Sequence, residues 1–381
     1  MNRKYFQGRV AVVAIMVLLL GANQVAAGEA DGPDLGVDRY QGPWQLMAPM
    51  REVSANLTWM VQETERFPAV CTRLILPSSE TRRRASRALS LLLQGRVDEA
   101  RWRFSRIGFE VVRLDTGMRK LLVVHEAPMS RFRGWGFIAI NPAPLRQLVI
   151  EAPHPQHDRG TGALAAELMD RLGARALILA TTHRCAARRA SSCQGHTGAC
   201  KQRWSYGRYR RSDRAHATNT IFHAAHLELT WAEPSLVVVQ VHGFARRPLR
   251  RRHVIISDGT RLPGRRGNHA NGLARIIRAE LPRRRRGLVK SCNETSRQRY
   301  LCGTHNVQGR QLNGSKNPCR RPARRSSNRF VQVELSMDAR TKGGLIPRDV
   351  LARAMARYWP SLRDARPTME ERRGAKSDSG W

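Results

Sequence analysis

Residues 148–181 read LVIEAPHPQHDRGTGALAAELMDRLGARALILAT, and this stretch decides the fold. The apolar run at 148–152 predicts a strand, the pattern at 162–172 predicts a helix that ends at Gly173, and residues 176–181 predict a second strand. A strand, a helix and a strand in succession are typical of an α/β sheet.

The alternation of strands and helices continues on both sides of this stretch. Further predicted helices lie at 85–93, 216–229, 271–281 and 348–358, and further predicted strands at 109–113, 121–125, 236–241, 253–256 and 330–335. We therefore predict an α/β fold with a mixed, largely parallel sheet that is flanked by helices and has disulfide-prone loops. The expected organisation is a signal peptide at 1–27, a mixed region at 28–115, an α/β catalytic domain at 116–365 and a polar tail at 366–381.

Three of the predicted strands end beside residues that can bind a metal ion or use one. His154 and Asp158 follow the strand at 148–152, His242 follows the strand at 236–241, and Glu334 lies at the end of the strand at 330–335. Several strand ends of an α/β sheet converge at one edge. A catalytic zinc ion takes about three imidazole or carboxylate ligands and keeps one position for water. We therefore predict zinc as cofactor, with His154, Asp158 and His242 as ligands.

A hydrolytic zinc site also needs a carboxylate outside the metal shell to accept the proton of the attacking water. Glu334 is the candidate, because its neighbours in the sequence are apolar and a buried carboxylate requires a partner. A structural salt bridge to an arginine is the alternative for Glu334. His157 is an alternative to Asp158 as the second ligand.

The segments that carry these residues resemble a known family. They are APHPQHDRGT at 152–161, VQVHGF at 239–244 and FVQVELS at 330–336. Across roughly residues 120–360 the chain is similar to the zinc carboxypeptidase superfamily, and more narrowly to its poly-γ-glutamate hydrolase and N-formylglutamate amidohydrolase branches. The resemblance implies a zinc carboxypeptidase-like fold and a hydrolase of amide bonds in peptides or isopeptides, in which Glu334 is the general base.

The resemblance also implies a place for the substrate. In the family, Asn and Arg side chains in the loop before the last strand hold a substrate carboxylate, and Asn306 and Arg310 occupy that loop here. An Arg fork matches a carboxylate in two hydrogen bonds. The alternative for Arg310 is a solvated loop arginine. A second loop places Asp213 close to His216 at a predicted helix start, where an Asp is more often an N-cap than a catalytic group.

The N-terminus predicts export. Basic residues precede an apolar run at 10–22, and Val25-Ala26-Ala27 supplies small residues where a signal peptidase cuts. The apolar run is too short to span a bilayer comfortably, and no later segment is longer. We therefore expect a secreted or periplasmic protein with no membrane span after cleavage of the signal peptide.

The cysteines suit an oxidising compartment. One loop contains Cys185, Cys193 and Cys200, another contains Cys292, Cys302 and Cys319, and Cys71 stands apart. Disulfides within or between the two loops are the favoured reading. The alternative is a structural zinc site, with ligands drawn from His183, Cys185, Cys193, His196 and Cys200.

The chain is strongly basic, with 67 Lys and Arg against 30 Asp and Glu and a formal net charge of +37. Such a surface attracts polyanions, among them an acidic peptide polymer or an anionic surface. A compositional bias toward Arg explains the charge without any ligand. Aromatic residues make up only 6% of the chain, which disfavours single-stranded nucleic acid as partner. The alternative function is a catalytically inactive, secreted polyanion-binding protein.

Overall fold

The structure is a computed structural model that describes residues 47–66, 74–127, 132–200, 207–245, 252–294, 300–340 and 346–363. The predicted signal peptide, the tail at 366–381 and Cys71 lie outside these residues. The strands are β1 (Glu52–Ser54), β2 (Phe109–Asp115), β3 (Lys120–Glu126), β4 (Phe137–Ile140), β5 (Arg146–Ala152), β6 (Ala174–Leu179), β7 (Val237–Phe244), β8 (Val254–Ser257), β9 (Val289–Ser291) and β10 (Phe330–Ser336). The helices are α1 (Leu57–Arg66), α2 (Ser79–Leu93), α3 (Val97–Ser105), α4 (Thr161–Leu172), α5 (Ile221–Ala232), α6 (His269–Ala279), α7 (Val307–Leu312), α8 (Met337–Arg340) and α9 (Arg348–Tyr358).

All ten strands form one sheet, in the order β1-β2-β3-β4-β6-β5-β7-β10-β8-β9. The four central strands β6, β5, β7 and β10 are parallel to one another. On both sides of this centre the sheet becomes antiparallel, where β4 pairs with β6 and β8 pairs with β10. The predicted fold class, a mixed and largely parallel sheet between helices, is confirmed.

Helices cover both faces of the sheet and form two apolar cores. The first core contains side chains of α1, α4, α6 and α9, and the second contains side chains of α2, α3 and α5. Along β5, Leu148 and Ile150 face the first core, whereas Val149 faces the second. A strand that is buried on both faces carries apolar residues without interruption. This explains why the run at 148–152 is apolar at every position except Glu151.

Some element boundaries differ from the prediction because polar capping residues set them. The helix predicted at 85–93 begins at Ser79, since the Ser78 hydroxyl accepts a hydrogen bond from the Thr81 backbone at 3.0 Å. The helix predicted at 216–229 begins at Ile221, where Thr220 caps it in the same way. The sequence reading also missed α3 and the short strand β4.

Three disulfides fix the long loops, as the sequence predicts. Two of them lie within one loop each, Cys185–Cys200 and Cys292–Cys302, and the third, Cys193–Cys319, joins the two loops. The alternative structural zinc site is therefore not formed by these cysteines. Within the described ranges, every helix is too short or too polar to cross a bilayer.

Candidate metal centre

The parallel centre of the sheet brings the predicted site residues together. His154 and Asp158 lie in the turn that follows β5, and the Asp158 backbone N–H donates to the His154 carbonyl at 2.7 Å, so that the turn folds both side chains toward one point. His242 lies in β7 and is the Cα partner of Glu334 in the neighbouring β10. The ring centroids of His154 and His242 are 5.1 Å apart.

The three predicted ligands form a compact, buried cluster. The Oδ2 atom of Asp158 is 3.6 Å from His154 Nδ1 and 4.0 Å from His242 Nδ1, and one ligand atom from each residue lies within 4.8 Å of the other two. His157 is outside this cluster, and its Nδ1 hydrogen-bonds to the other Asp158 oxygen at 2.9 Å. The geometry thus brings Asp158, rather than the alternative His157, to the two imidazoles.

The electrostatics of the cluster fit a divalent cation. Burial raises the pKa of Asp158, but the imidazoles of His154 and His157 outweigh burial and hold it below its ordinary value. Burial, followed by the nearby His154, lowers the pKa of His242 well below its ordinary value, so this ring is neutral and offers a lone pair. His154 Nδ1 is buried and has no hydrogen-bond partner among the described residues. A cation at this point would satisfy that nitrogen.

Glu334 is a buried carboxyl group beside the cluster. It accepts a hydrogen bond from Gln332 Nε2 at 2.9 Å, and in the described part of the chain no arginine lies within ion-pair distance of it. Burial and the charge of Asp158 raise the pKa of Glu334 to about 8, against the opposing charges of Arg184 and Arg340. A carboxyl group whose pKa lies near neutrality is suited to take up a proton during a reaction.

This raised pKa predicts a pH-dependent stability for the metal-free protein. The pKa of the Glu334 carboxyl group has its ordinary value of 4.5 in the unfolded chain and rises to about 8 in the folded chain. Its contribution to stability is therefore complete below pH 4.5 and is lost as the pH rises toward 8. The metal-free Glu334→Gln variant should be more stable than the wild type at pH 8, by on the order of a few kcal/mol, and not at pH 4. Denaturant unfolding at both pH values measures this, and an equal difference at both would contradict it.

Asp213 supports the cluster from the side. Its Oδ1 atom accepts hydrogen bonds from His154 Nε2 and from His216 Nδ1, each at 2.7 Å, and its Oδ2 atom accepts from Arg184 at 2.5 Å. With Nε2–H donated to Asp213, His154 presents the lone pair of Nδ1 to the cluster, as metal-binding histidines with a carboxylate partner do.

His154, Asp213 and His216 also lie close enough together to hold a metal ion, but hydrogen bonds explain their proximity. These hydrogen bonds join the three residues, and the guanidinium of Arg184 already neutralises the carboxylate. A further cation there would be repelled by Arg184. Asp213 occupies the N-cap position of the short 3-10 helix Arg214–His216, but its side chain makes no capping hydrogen bond, and its carboxylate bonds to side chains instead. Arg184 was not predicted, because its partner is 29 residues away in the chain.

Removing the charge of Asp213 should weaken metal binding without touching a ligand. In Asp213→Asn, Arg184 loses its counter-charge and His154 loses its charged acceptor. We expect zinc affinity to fall roughly 10- to 100-fold and the free energy of unfolding to fall by about 3–5 kcal/mol. Chelator competition and denaturant unfolding measure the two effects. The control is Asp170→Asn on α4, which alters the hydrogen bond that Asp170 accepts from Thr116. Equal zinc affinity in the two variants would contradict the expectation.

The two predicted substrate residues lie near each other on α7 but have different surroundings. Asn306 is buried, caps α7 by accepting from the Gly309 backbone at 3.0 Å, and donates to Gln240. Arg310 donates to the Thr304 carbonyl at 2.7 Å and lines a cavity of about 410 Å³, together with Arg261 and His305. The roles of Asn306 and Arg310 in substrate binding stay predictions.

An aromatic side chain lies between this cavity and the cluster. The ring of Tyr209 stacks on His216 at a centroid distance of 3.5 Å, and it lies 6.4 Å from the ring of His305, which lines the cavity. His216 in turn lies 6.4 Å from His154. The stacked rings of His216 and Tyr209 thus separate His154 of the cluster from the cavity that Arg310 lines.

Comparisons with known proteins find similarity to solved structures alone, at low identity. No protein-family model and no curated protein matches it. Among solved structures it is similar to an N-formylglutamate amidohydrolase from Ralstonia eutropha JMP134, with 17% identity, a TM-score of 0.33, and coverage of 63% of this chain and 99% of that one. It is also similar to a metallo-carboxypeptidase from Burkholderia cenocepacia, with 12% identity, a TM-score of 0.31, and coverage of 70% and 66%.

A third similar structure is a gene product from Agrobacterium tumefaciens, with 14% identity, a TM-score of 0.34, and coverage of 55% of this chain and 88% of that one. The first two structures belong to the classes that the sequence motifs resemble. At these TM-scores the similarity carries no argument about the site, which depends on the contacts described above.

Proposed function

We propose that this protein is a secreted, zinc-dependent hydrolase of amide bonds in peptides or isopeptides. The observation that carries the proposal is the convergence of one ligand atom each from His154, Asp158 and His242 within 4.8 Å of one another, beside the buried Glu334. A bound zinc ion supplies Lewis acidity toward water and the substrate carbonyl. The three disulfides support an extracytoplasmic location, where such bonds form and persist.

The residues around the ion have separate tasks in this proposal. His154, Asp158 and His242 hold the cation, and Asp213 and Arg184 keep His154 in its metal-binding orientation. Glu334 accepts the proton of the attacking water and passes it to the leaving nitrogen. A cation held by the three ligands would favour the ionised form of Glu334 and so lower its raised pKa, which keeps the carboxylate able to accept this proton. The three ligands and Glu334 are all buried, which keeps bulk water from screening their charges.

The substrate we propose carries a carboxylate. Arg310, Arg261 and His305 line the cavity that His216 and Tyr209 separate from the cluster, and its described lining residues include no acidic side chain. An arginine fork can hold a carboxylate in two hydrogen bonds. In this proposal Arg310 anchors the substrate carboxylate, and Asn306 keeps the start of α7, and with it Arg310, in place.

Metal analysis tests the proposal. Purified wild-type protein should bind about one zinc ion per chain, and His154→Ala and His242→Ala should each lose it. The matched control is His196→Ala, which removes an exposed histidine of the alternative Cys/His set. A folded wild-type protein that binds no zinc would overturn the proposal.

A hydrolysis assay then tests the reaction. The zinc-loaded protein is incubated with N-formylglutamate, with acidic dipeptides and with poly-γ-glutamate, and the release of amine is followed. Hydrolysis of at least one of these compounds, lost in His242→Ala, supports the amidohydrolase. A zinc-loaded protein that cleaves none of them but binds poly-γ-glutamate with steep salt dependence supports the inactive polyanion-binding alternative.

A further inference from the structure

A buried chain of polar side chains leads away from His242 into the sheet. Gln240 lies two residues before His242 in β7, so both side chains are on the same face of the strand. The Oε1 atom of Gln240 is 2.6 Å from His242 Nε2. Gln240 is 0% exposed, so it has no solvent with which to exchange this hydrogen bond.

The neighbouring strand fixes the orientation of the Gln240 amide. Glu151 in β5 is the Cα partner of Gln240, and its Oε2 atom is 2.8 Å from Gln240 Nε2. A carboxylate only accepts hydrogen bonds, so the amide NH₂ must face Glu151 and the amide carbonyl must face His242. The other oxygen of Glu151 bonds to His226 Nδ1 at 2.8 Å, which holds the carboxylate in place.

A second, independent neighbour imposes the same orientation. The side-chain oxygen of Asn306 accepts from the Gly309 backbone N–H at 3.0 Å, so its NH₂ group points away from the helix. That NH₂ group donates to Gln240 Oε1. Both Glu151 and Asn306 therefore require that the atom facing His242 is a carbonyl oxygen.

The orientation of Gln240 has a consequence for the imidazole. A carbonyl oxygen accepts, so His242 Nε2 must carry the hydrogen, and in a neutral ring the lone pair is then on Nδ1. Nδ1 is the atom of His242 that lies 4.0 Å from Asp158 Oδ2. If the amide were reversed, its NH₂ group would require the opposite tautomer, and a hydrogen on Nδ1 would block metal binding.

We infer that Gln240 and Glu151 are positioning residues that select the metal-binding tautomer of His242. The inference rests on the proposed metal centre for its function, although the tautomer itself is a property of the metal-free protein. It assigns a role to two buried residues at positions where β5 and β7 could otherwise carry apolar side chains.

Gln240→Leu tests this role, because leucine fills a similar volume and accepts no hydrogen bond. In the metal-free protein, ¹⁵N NMR of labelled histidines should show that His242 no longer favours the Nε2–H form. Zinc affinity, measured by chelator competition, should fall roughly 10- to 100-fold. The matched control is Gln308→Leu, which removes another fully buried glutamine, bonded to the Arg214 carbonyl and to His223, and should leave the tautomer of His242 unchanged.

A double exchange, Glu151→Gln with Gln240→Glu, provides the rescue. The new carboxylate at position 240 accepts from His242 Nε2–H, from Asn306 and from the new amide at position 151, whose own oxygen faces His226. Every donor then still meets an acceptor, and the number of buried charges is unchanged. The exchange variant should recover the Nε2–H form and a zinc affinity within about threefold of the wild type, well inside the loss expected for the single variant.

The outcomes separate this inference from the proposed function. An Nε2–H form and a wild-type zinc affinity in Gln240→Leu would overturn the inference. Equal losses of zinc affinity in Gln240→Leu and in a folded exchange variant would also overturn the inference, because the two residues would then act only through packing. A metal-free wild type that shows the Nε2–H form, loses it in Gln240→Leu and binds no zinc would overturn the metal centre while supporting the selection of the tautomer.

Discussion

Replacing Glu334 with glutamine should remove most amide hydrolysis and leave the metal in place. Glutamine has nearly the shape of glutamate but cannot accept the proton of water, and Glu334 is not one of the three clustered ligands. The loss of a general base lowers the rate roughly 100- to 10,000-fold. The measurement is the turnover of N-formylglutamate, or whichever compound of the panel the wild type cleaves, together with zinc content.

The control for this variant is Glu99→Gln. Glu99 is also a buried glutamate, but it pairs with Arg103 on α3, in the second core. Its replacement should lower stability and leave the rate per folded, zinc-loaded molecule unchanged. A Glu334→Gln protein that keeps its zinc and retains more than about a tenth of the wild-type rate would contradict the role of general base.

Removing the disulfide that joins the two long loops should lower the free energy of unfolding more than removing a disulfide within one loop. Cys193 and Cys319 are 126 residues apart in the chain, whereas Cys292 and Cys302 are 10 apart. A cross-link that closes a longer loop restricts the unfolded chain more. The double variant Cys193→Ala with Cys319→Ala should therefore lose about 4–5 kcal/mol in free energy of unfolding, against about 2–3 kcal/mol for Cys292→Ala with Cys302→Ala.

Denaturant unfolding of both double variants in oxidising buffer measures this difference. The shorter disulfide is the control for the loss of two sulfur atoms. Cys193, Cys292 and Cys302 are each at most 3% exposed, and the half-buried Cys319 should lose no more packing than they do. Equal losses in the two variants would show that loop length does not determine the stabilisation here.

The sequence predicted the centre of the fold better than its edges. The strands β5, β7 and β10 are buried on both faces and read as largely apolar runs, so their ends are found within three residues. The strand β4 is also an apolar run, FIAI, but it is too short for periodicity to identify it, and the helix α3 mixes charged and apolar residues. Their place depends on pairing with distant strands and helices, which a local pattern does not contain.

The same distinction applies to the candidate site. His154 and Asp158 follow β5, whereas His242 and Glu334 lie within the last residues of β7 and β10. A general rule about strand ends at one sheet edge is enough to bring the four together. Arg184 and Gln240 were not singled out, because their partners Asp213 and Glu151 are 29 and 89 residues away. Gln240 carries a signal in hindsight, since a polar residue inside an apolar strand must have a buried partner.

The pairing of β7 with β10 sets the spacing of His242 and Glu334 independently of the loops. His242 and Glu334 are direct partners in register, so the distance between their backbones is the spacing of adjacent strands, about 4.8 Å. The cavity is instead lined by Arg310 of α7 and by loop segments. Grafting new loops onto this sheet should therefore redirect substrate preference while the reacting groups keep their mutual spacing.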